Sequence, residues 1–480
     1  LTPADFGANA IDQLEKYEGM RVTVPEMTTV APTGGRVDIK TASAVSDGVF
    51  YGVLKGTPRP FRESGLDIRD LLNSPDKDKV KQDHPKLRIF DANPEIIRVD
   101  TGEQSINVPS LTDLTNLTGV LHYAFGRCTI LADFDKKLSA TFTIKPKPLP
   151  VPTDRQLSIA GMNLENFFDD QDDPGIKEDV LTPEAFQRRL KKVSMAIRDY
   201  MQMPDVIGSV EVENLATLRK LAEKINVDSV AAGKPNPKYE AYLIEGNDGR
   251  GIDSGYLVKS SRVKVIEVRQ FGKDEKYVNP NTKEDNFLND RPPLMLRASI
   301  DDAKTGKSFE FTLVINHLKS FLGYNDPKQM DNVRMKKRLQ AEFLAKFVQE
   351  RLKANSTERI ALLGDFNAFQ FNDGVMDVVG TIKGKPAAKD EILMASDDLL
   401  NPDLVDLVDA INVKERYSYA YDGNAQAIDH IIISDAFTKS IKGFGYARVN
   451  ADFPEAFRND DSRVERYSDH DPAVAFFSLD

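Results

Sequence analysis

The chain has 480 residues, one cysteine and a formal net charge of −11, which is longer than one hydrophobic core ordinarily organises, so two domains are expected. A lone Cys128 excludes an intramolecular disulfide, and no apolar run approaches the roughly 20 residues that cross a bilayer. The acidity argues against a broad electrostatic grip on nucleic acid, although a cleft can gather cations locally while the remaining surface stays acidic.

Residues 1–150 read as mostly β. Short apolar runs at Met20 to Val24, Val49 to Leu54, Glu95 to Val99, Gly119 to Phe125 and Ala140 to Ile144 are separated by Gly, Pro, Asn and Asp. No sustained helical periodicity shows there, and the charge-rich run Asp76-Lys77-Asp78-Lys79-Val80-Lys81 reads as a solvated loop. Cys128, inside Arg127-Cys128-Thr129-Ile130-Leu131, reads as a small buried residue of a strand. The segment ends in Ile144-Lys145-Pro146-Lys147-Pro148-Leu149-Pro150-Val151-Pro152, whose prolines favour an extended, stiff connection. This connection is taken as the boundary between a smaller β-rich accessory domain over residues 1–150, a barrel or a similar β fold, and a second domain over residues 154–480.

Beyond it the pattern becomes α/β. Leu157 to Leu164 reads as a buried strand. Thr182 followed by Pro183 signals a cap and first turn, and Phe186, Leu190, Val193 and Ile197 continue at helical spacing until Pro204. Asp205 to Glu211 is the next strand, and Asn214 caps a helix carrying Leu215, Leu218, Leu221 and Ile225. A long helix is predicted over Asn332 to Leu352. Strands are predicted at Tyr239 to Ile244, Gly255 to Lys259, Val263 to Val268, Phe309 to Asn316, Arg359 to Leu363, Asp429 to Ser434 and Ala473 to Phe477.

Polar residues cluster at the ends of these strands, where a sheet presents side chains to a ligand. They are Asn163, Glu211 in Ser209-Val210-Glu211-Val212-Glu213-Asn214, and His317 in Asn316-His317-Leu318-Lys319-Ser320. With them stand Asp365 and Asn367 in Gly364-Asp365-Phe366-Asn367-Ala368, Asp429 in Ala427-Ile428-Asp429-His430, and Asp469 with His470 in Ser468-Asp469-His470-Asp471-Pro472. Three of the five histidines fall in these segments, and His430 among them reads as a core residue. Carboxylates suit Mg²⁺, a hard ion that prefers oxygen. A histidine oriented by an aspartate suits proton removal from water, and amides with a second histidine suit the charge that grows on a phosphoryl group. No Walker A, CxxC or HExxH pattern occurs. Glu213 points to the same side of a regular strand as Glu211 and is the rival metal ligand.

In this order the six segments resemble the endonuclease/exonuclease/phosphatase superfamily over about residues 154–480. Tyr17-Glu18-Gly19-Met20, Phe61-Arg62-Glu63-Ser64-Gly65 and Leu117-Thr118-Gly119-Val120 look like the β-rich part of bacterial secreted extracellular nucleases. The resemblance implies a four-layer sandwich of two mixed β-sheets flanked by helices, and a divalent-metal phosphodiesterase acting on nucleic acid, with Mg²⁺ (or Mn²⁺ or Ca²⁺) as cofactor. It implies Glu211, Asn163 and Asp469 around the metal and His470 with Asp429 as the dyad that activates water. His317 would contact the phosphate with Glu245 orienting it, Asp365 and Asn367 would position nucleophile and phosphate, and Arg291 in Asp290-Arg291-Pro292-Pro293 would be the phosphate-contacting arginine. Val210 and Met162 stand where the family often has Gln and an aromatic residue. A secreted or periplasmic location is expected, with any targeting peptide absent from this chain and no obligate protein partner inferred. The alternative reading keeps the site and changes the substrate to a phospholipid or inositol phosphate. A third takes the chain as a binding module with a decayed site, against which the retained catalytic residue types argue.

Overall fold

A computed structural model describes all residues except 9, 75, 103–105, 134–137, 303–304 and 480. The fold is α/β with several mixed sheets and a β-rich N-terminal region. Strands Arg21–Ala31, Val49–Leu54, Ile97–Asp100, Arg127–Ala132 and Asp113–Ala124 pair in that order, and the last pairs back onto the first, closing a barrel. Its interior is filled by Leu14, Val24, Met27, Phe50, Ile97, Val99, Leu117 and Ile130. Cys128 lies on its wall, half-buried, and burial pushes its thiol up to about 11, so it is not a reactive thiolate.

The N-terminal region is less purely β than its sequence predicts. Helices form at Ile68–Asn73 and Lys77–Asp83, the second in the run read as a loop. Asp67 caps the first by accepting from the Arg69 amide. Both helices are too short for the periodicity that identifies longer ones.

Residues 156–478 build two six-stranded sheets. The first orders Tyr239–Leu243, Asp253–Lys259, Val206–Val212, Gln156–Phe167, Ala473–Ser478 and Ile441–Tyr446; the second orders Val263–Gln270, Leu294–Asp301, Ser308–His317, Ile360–Asp365, Asp429–Ile433 and Val405–Asp406. Each contains one parallel pair among antiparallel neighbours, Gln156–Phe167 with Val206–Val212 and Ser308–His317 with Ile360–Asp365. Facing side chains of the two sheets share one core, with Ile159, Val210 and Tyr256 against Leu296, Leu313, Leu363 and Ile431. Tyr256 carries its hydroxyl into that core without cost, because it donates to Leu294 O at 2.9 Å and accepts from Ile315 N at 2.8 Å.

Helices cover the outer faces. Thr182 accepts from the Ala185 amide to start Pro183–Met195, and Asn214 accepts from Thr217 to start Leu215–Ala231. Their apolar stripes pack on the first sheet, and Ala341, Leu344 and Val348 of Met330–Ala354 pack on the second. Several strands of the described residues have no counterpart in the sequence prediction, the longest being Leu294–Asp301 and Ile441–Tyr446. Leu294–Asp301 is built mainly from Leu, Met, Arg and Ala, which favour helices, and Ile441–Tyr446 carries two glycines. No helix of the described residues is long and apolar enough to cross a membrane.

The chain leading into Ser468–Pro472 is anchored by a buried ammonium. Lys192 donates to the carbonyls of Phe457, Asp460 and Arg463 at 3.0, 2.8 and 2.9 Å. Lys192→Met removes this donor from all three carbonyls and leaves those of Asp460 and Arg463 unpaired, while Phe457 O keeps the Asp460 amide at 3.4 Å. At about 1–3 kcal/mol for each buried polar group left unsatisfied, several kcal/mol of stability should be lost, measurable as a lower urea midpoint.

Candidate active site

Three strands of the second sheet end level with one another. His317 and Asp365 are register partners across the parallel pair, and Asp365 and Asp429 across the antiparallel one. Gly364 allows this. It takes φ +116°, and a Cβ there would run into the Asn316 carbonyl, so no other residue fits before Asp365. The first sheet approaches at the same place, where a Cβ on Gly161 would lie 3.2 Å from Gly364 N.

From the first sheet come Asn163 and Glu211, on adjacent parallel strands. The pairing runs in register to Asn163 and Val210 and then slips, and the antiparallel pairing on the other side of Val206–Val212 slips at the same place. Glu211 itself sits at φ +60°. This bulge breaks the alternation on which Glu213 was read as a rival ligand. Glu213 turns away, accepting from Asp169 N at 2.6 Å and Thr217 Oγ1 at 3.1 Å, while burial pushes its carboxyl up to about 8.

Two carboxylate oxygens then face one another. Asn163 Nδ2 donates to Glu211 Oε1 at 3.1 Å and to Asp365 Oδ2 at 3.2 Å, and His317 Nε2 lies 3.6 and 3.7 Å from the same two atoms. Asn166 N donates to the other Glu211 oxygen at 2.8 Å. Burial, then the nearby Arg291 and His470, hold His317 well below its ordinary value, so it is neutral and does not compensate the acids. Among the described residues neither Glu211 nor Asp365 has a Lys or Arg ion-pair partner. Paired carboxylates lacking a cation in a buried site fit a divalent ion with oxygen preference.

On the other side of Asp365 stands the dyad. His470 Nδ1 lies 2.8 Å from Asp429 Oδ2, which also accepts from Ser418 Oγ at 2.6 Å. This fixes the proton on Nδ1 and leaves Nε2 facing the site, 3.8 Å from Asp469 Oδ1. Burial opposes a charge on His470, but Asp429, Asp469 and Asp365 outweigh it and raise the imidazole well above its usual range. Asp365, Asp429 and His470 offer ligand atoms within 4.8 Å of one another, as do Glu211, His317 and Asp365, so Asp365 joins the two groups. Asp469 is outside both groups.

Asn367 donates its amide to Asp365 Oδ1 at 2.7 Å and its side chain to Asp365 Oδ2 at 3.1 Å. Arg291, expected at the phosphate, is directed elsewhere. It pairs with Asp248 at 2.7 Å and donates to the carbonyls of His317 and Leu318, so it supports the chain that carries His317. Glu245, expected to orient His317, is exposed and bonds to Asp253, while His317 Nδ1 has no hydrogen-bond partner among the described residues. His430 is a core residue, held between Asp406 and the Ala368 carbonyl.

Several positioning residues had no signal in the sequence. Lys337 is buried and donates to the carbonyls of Lys319 and Asn367 at 2.8 and 2.6 Å, and Gln340 accepts from Lys319 N at 2.9 Å. On a helix such residues read as a solvated face. Tyr419 packs on the His470 ring at 4.9 Å between centroids.

Burial pushes Asp365 up to about 7 against an ordinary 3.8, with Asp429 and Glu211 adding to the rise and His470 opposing it. The folded state therefore binds more protons than the unfolded chain between these values, and this group costs stability increasingly as pH rises through that window. In EDTA, the melting temperature of the wild type should fall more steeply from pH 4 to 7 than that of Asp365→Asn.

A profile of the endonuclease/exonuclease/phosphatase family matches residues 158–471, and one of a domain of unknown function matches residues 2–141. A search of the curated proteins finds no match. Among solved structures, the chain is similar to an endonuclease/exonuclease/phosphatase from Bacteroides vulgatus, at 16% identity and TM-score 0.42, covering 68% of this chain and 99% of that one. It is also similar to D. rerio TDP2 complexed with a single-strand DNA product, at 17% identity and TM-score 0.39, covering 67% and 99%. The catalytic domain of human Nocturnin with bound sulfate shows 12% identity and TM-score 0.37, covering 68% and 94%.

Proposed function

The chain belongs to the endonuclease/exonuclease/phosphatase family, and on that premise we propose that it is a divalent-metal phosphodiesterase that hydrolyses nucleic acid, DNA first. The observation that carries this is the meeting of two groups around Asp365: the carboxylate pair with Glu211 and the His470–Asp429 dyad. The two packed sheets with helices on their outer faces are read as the family's four-layer sandwich.

A divalent ion held by Glu211, with Asn163 and Asp365 beside it, would neutralise charge on the phosphate and the leaving oxygen. With that ion's charge set against the carboxylates that hold a proton on the ring, His470 in its neutral form would take the proton of the attacking water at Nε2, and Asp429 would stabilise the imidazolium that results. Asp429 keeps the ring in the required tautomer, with Ser418 fixing Asp429 in turn. His317 Nε2 would donate to a phosphoryl oxygen, Asn367, whose side-chain amide is spent on Leu318 O and Asp365 Oδ2, would orient Asp365, and Asp469 would hold the water beside His470.

Purified protein should degrade plasmid and linear DNA with Mg²⁺ and lose that activity in EDTA, with recovery on adding Mg²⁺ back. Full activity in EDTA would overturn the metal dependence. Turnover of sphingomyelin or an inositol phosphate in place of every nucleic acid would move the substrate to the alternative class.

A further inference from the structure

The active site opens into a cleft of about 850 Å³ whose inner end is formed by Asn367 and His470 and whose outer wall comes from the barrel. The wall is rigidly mounted. The hairpin of Tyr419–Tyr421 and Asn424–Gln426 is gripped from the barrel side, where Arg69 and Arg127 both pair with Asp422 at 3.0 and 2.8 Å and Asn93 donates to Asn424 at 2.6 Å.

That hairpin carries a path of ring faces away from the dyad. Tyr419 lies against His470. Tyr421, two residues on and therefore on the same strand face, is 64% exposed. To the same lining the barrel contributes Phe125, 81% exposed at the tip of the turn between Asp113–Ala124 and Arg127–Ala132 and backed by the Arg98 guanidinium at 4.8 Å from its centroid. An exposed phenylalanine supported from behind and bordering a catalytic cleft offers a flat apolar face to whatever enters.

The cleft's arginines are already engaged, Arg62 with the carbonyls of Glu63 and Gly65 and the rings of Phe90 and Phe369. Arg69 is held by Asp67 and Asp422, and Arg98 by Asp100. With Asp47 and Asp70 also in the lining, this wall does not attract a phosphate backbone. It offers ring faces, and those of nucleobases are available only when bases are unpaired, since in a duplex they stack on each other. The volume is that of a small-molecule pocket, roughly 300–1,000 Å³.

We infer that this cleft is a base-stacking subsite for unpaired nucleotides next to the scissile phosphate, with Tyr421 and Phe125 as its platforms, so that the enzyme prefers single-stranded or frayed nucleic acid to closed duplex. This rests on the nucleic-acid phosphodiesterase reading. The full chain and its Phe125→Ala, Tyr421→Ala and double variants are assayed with Mg²⁺ on an end-labelled oligonucleotide, alone and annealed to its complement. Each ring removed should raise KM for the single strand by about 5- to 100-fold, lower the preference for single strand over duplex, and leave most of the effect in KM instead of kcat. Phe125→Tyr and Tyr421→Phe, which keep a ring, should restore the preference. A KM and preference equal to wild type in the double variant overturn the subsite. Wild-type turnover of bis(p-nitrophenyl) phosphate, a phosphodiester without a base, tests the underlying reading separately. Its absence, together with inactivity on both oligonucleotides, removes that reading and the subsite with it.

Discussion

Replacing His470 by alanine is expected to lower kcat on DNA by about 10²–10⁴-fold, the range that a positioned general base contributes. The loss should be chemical, because the loop does not depend on the ring. Asn450 Nδ2 donates to the His470 carbonyl at 2.6 Å, and Asp471 Oδ1 accepts from Val449 N and Asn450 N at 2.9 and 2.7 Å. The variant should therefore keep its fold while losing turnover, with a lower melting temperature because the buried Asp429 carboxylate loses its imidazole partner. Asp429→Asn should lose activity in the same direction for a different reason. An amide facing Nδ1 at the place of a carboxylate oxygen can donate to it, which favours the tautomer with the proton on Nε2, the nitrogen that must be free to accept. Ser418→Ala, which removes only one bond to Asp429, should cost less than either. A His470→Ala enzyme at full rate would transfer the role of base to Asp365, whose carboxyl is pushed up to about 7 and so lies near working pH.

The site was legible where residue type and strand end coincide. Gly-Asp-Phe-Asn marks a strand terminus that only glycine can make, so Asp365 and Asn367 could be placed before the fold was known. Likewise Asn163 and His317 follow an apolar run and Asp429 and His470 precede one, and the structure brings them together. Failures arise where a local rule is overridden. Alternation put Glu213 beside Glu211, but a bulge at φ +60° is set by two neighbouring strands and leaves no local trace. Arg291 and Glu245 were assigned by resemblance, and their directions depend on long-range contacts, with Asp248 and Asp253. Lys192 and Lys337 carry charge and so read as surface, while the structure uses their ammonium groups to satisfy carbonyls of distant loops. The fold follows the same division. Capped helices such as Pro183–Met195 and Leu215–Ala231 announce their starts, whereas Leu294–Asp301 becomes a strand because its neighbours on both sides are strands.

Glu211→Gln should separate the cation from the scaffold. Glutamine has the same shape, and its oxygen can still accept from Asn166 N, now at 2.8 Å from the glutamate, so the bulge should survive. What goes is one of the two negative charges facing each other beneath Asn163. With Mg²⁺, several kcal/mol of transition-state stabilisation depends on the ion being held, which at about 1.4 kcal/mol per decade corresponds to a loss of kcat/KM on the order of 10³-fold. The Mg²⁺ concentration for half-maximal rate should rise as well. In EDTA the order of stability should reverse. Glu211 contributes to the rise of the Asp365 carboxyl, so its neutral replacement relieves repulsion, and above the Asp365 value of about 7 the variant should melt at or above wild type. Adding Mg²⁺ should then raise the wild-type melting temperature and leave the variant nearly unmoved, because an ion that binds the folded state stabilises it in proportion to the logarithm of its occupancy. Glu213→Gln supplies the contrast. Its carboxyl is bound to Asp169 and Thr217, so the Mg²⁺ dependence of the rate should stay as in wild type. Equal Mg²⁺ dependence in wild type and Glu211→Gln would remove Glu211 from the cation and leave Asp365 as the remaining acidic candidate.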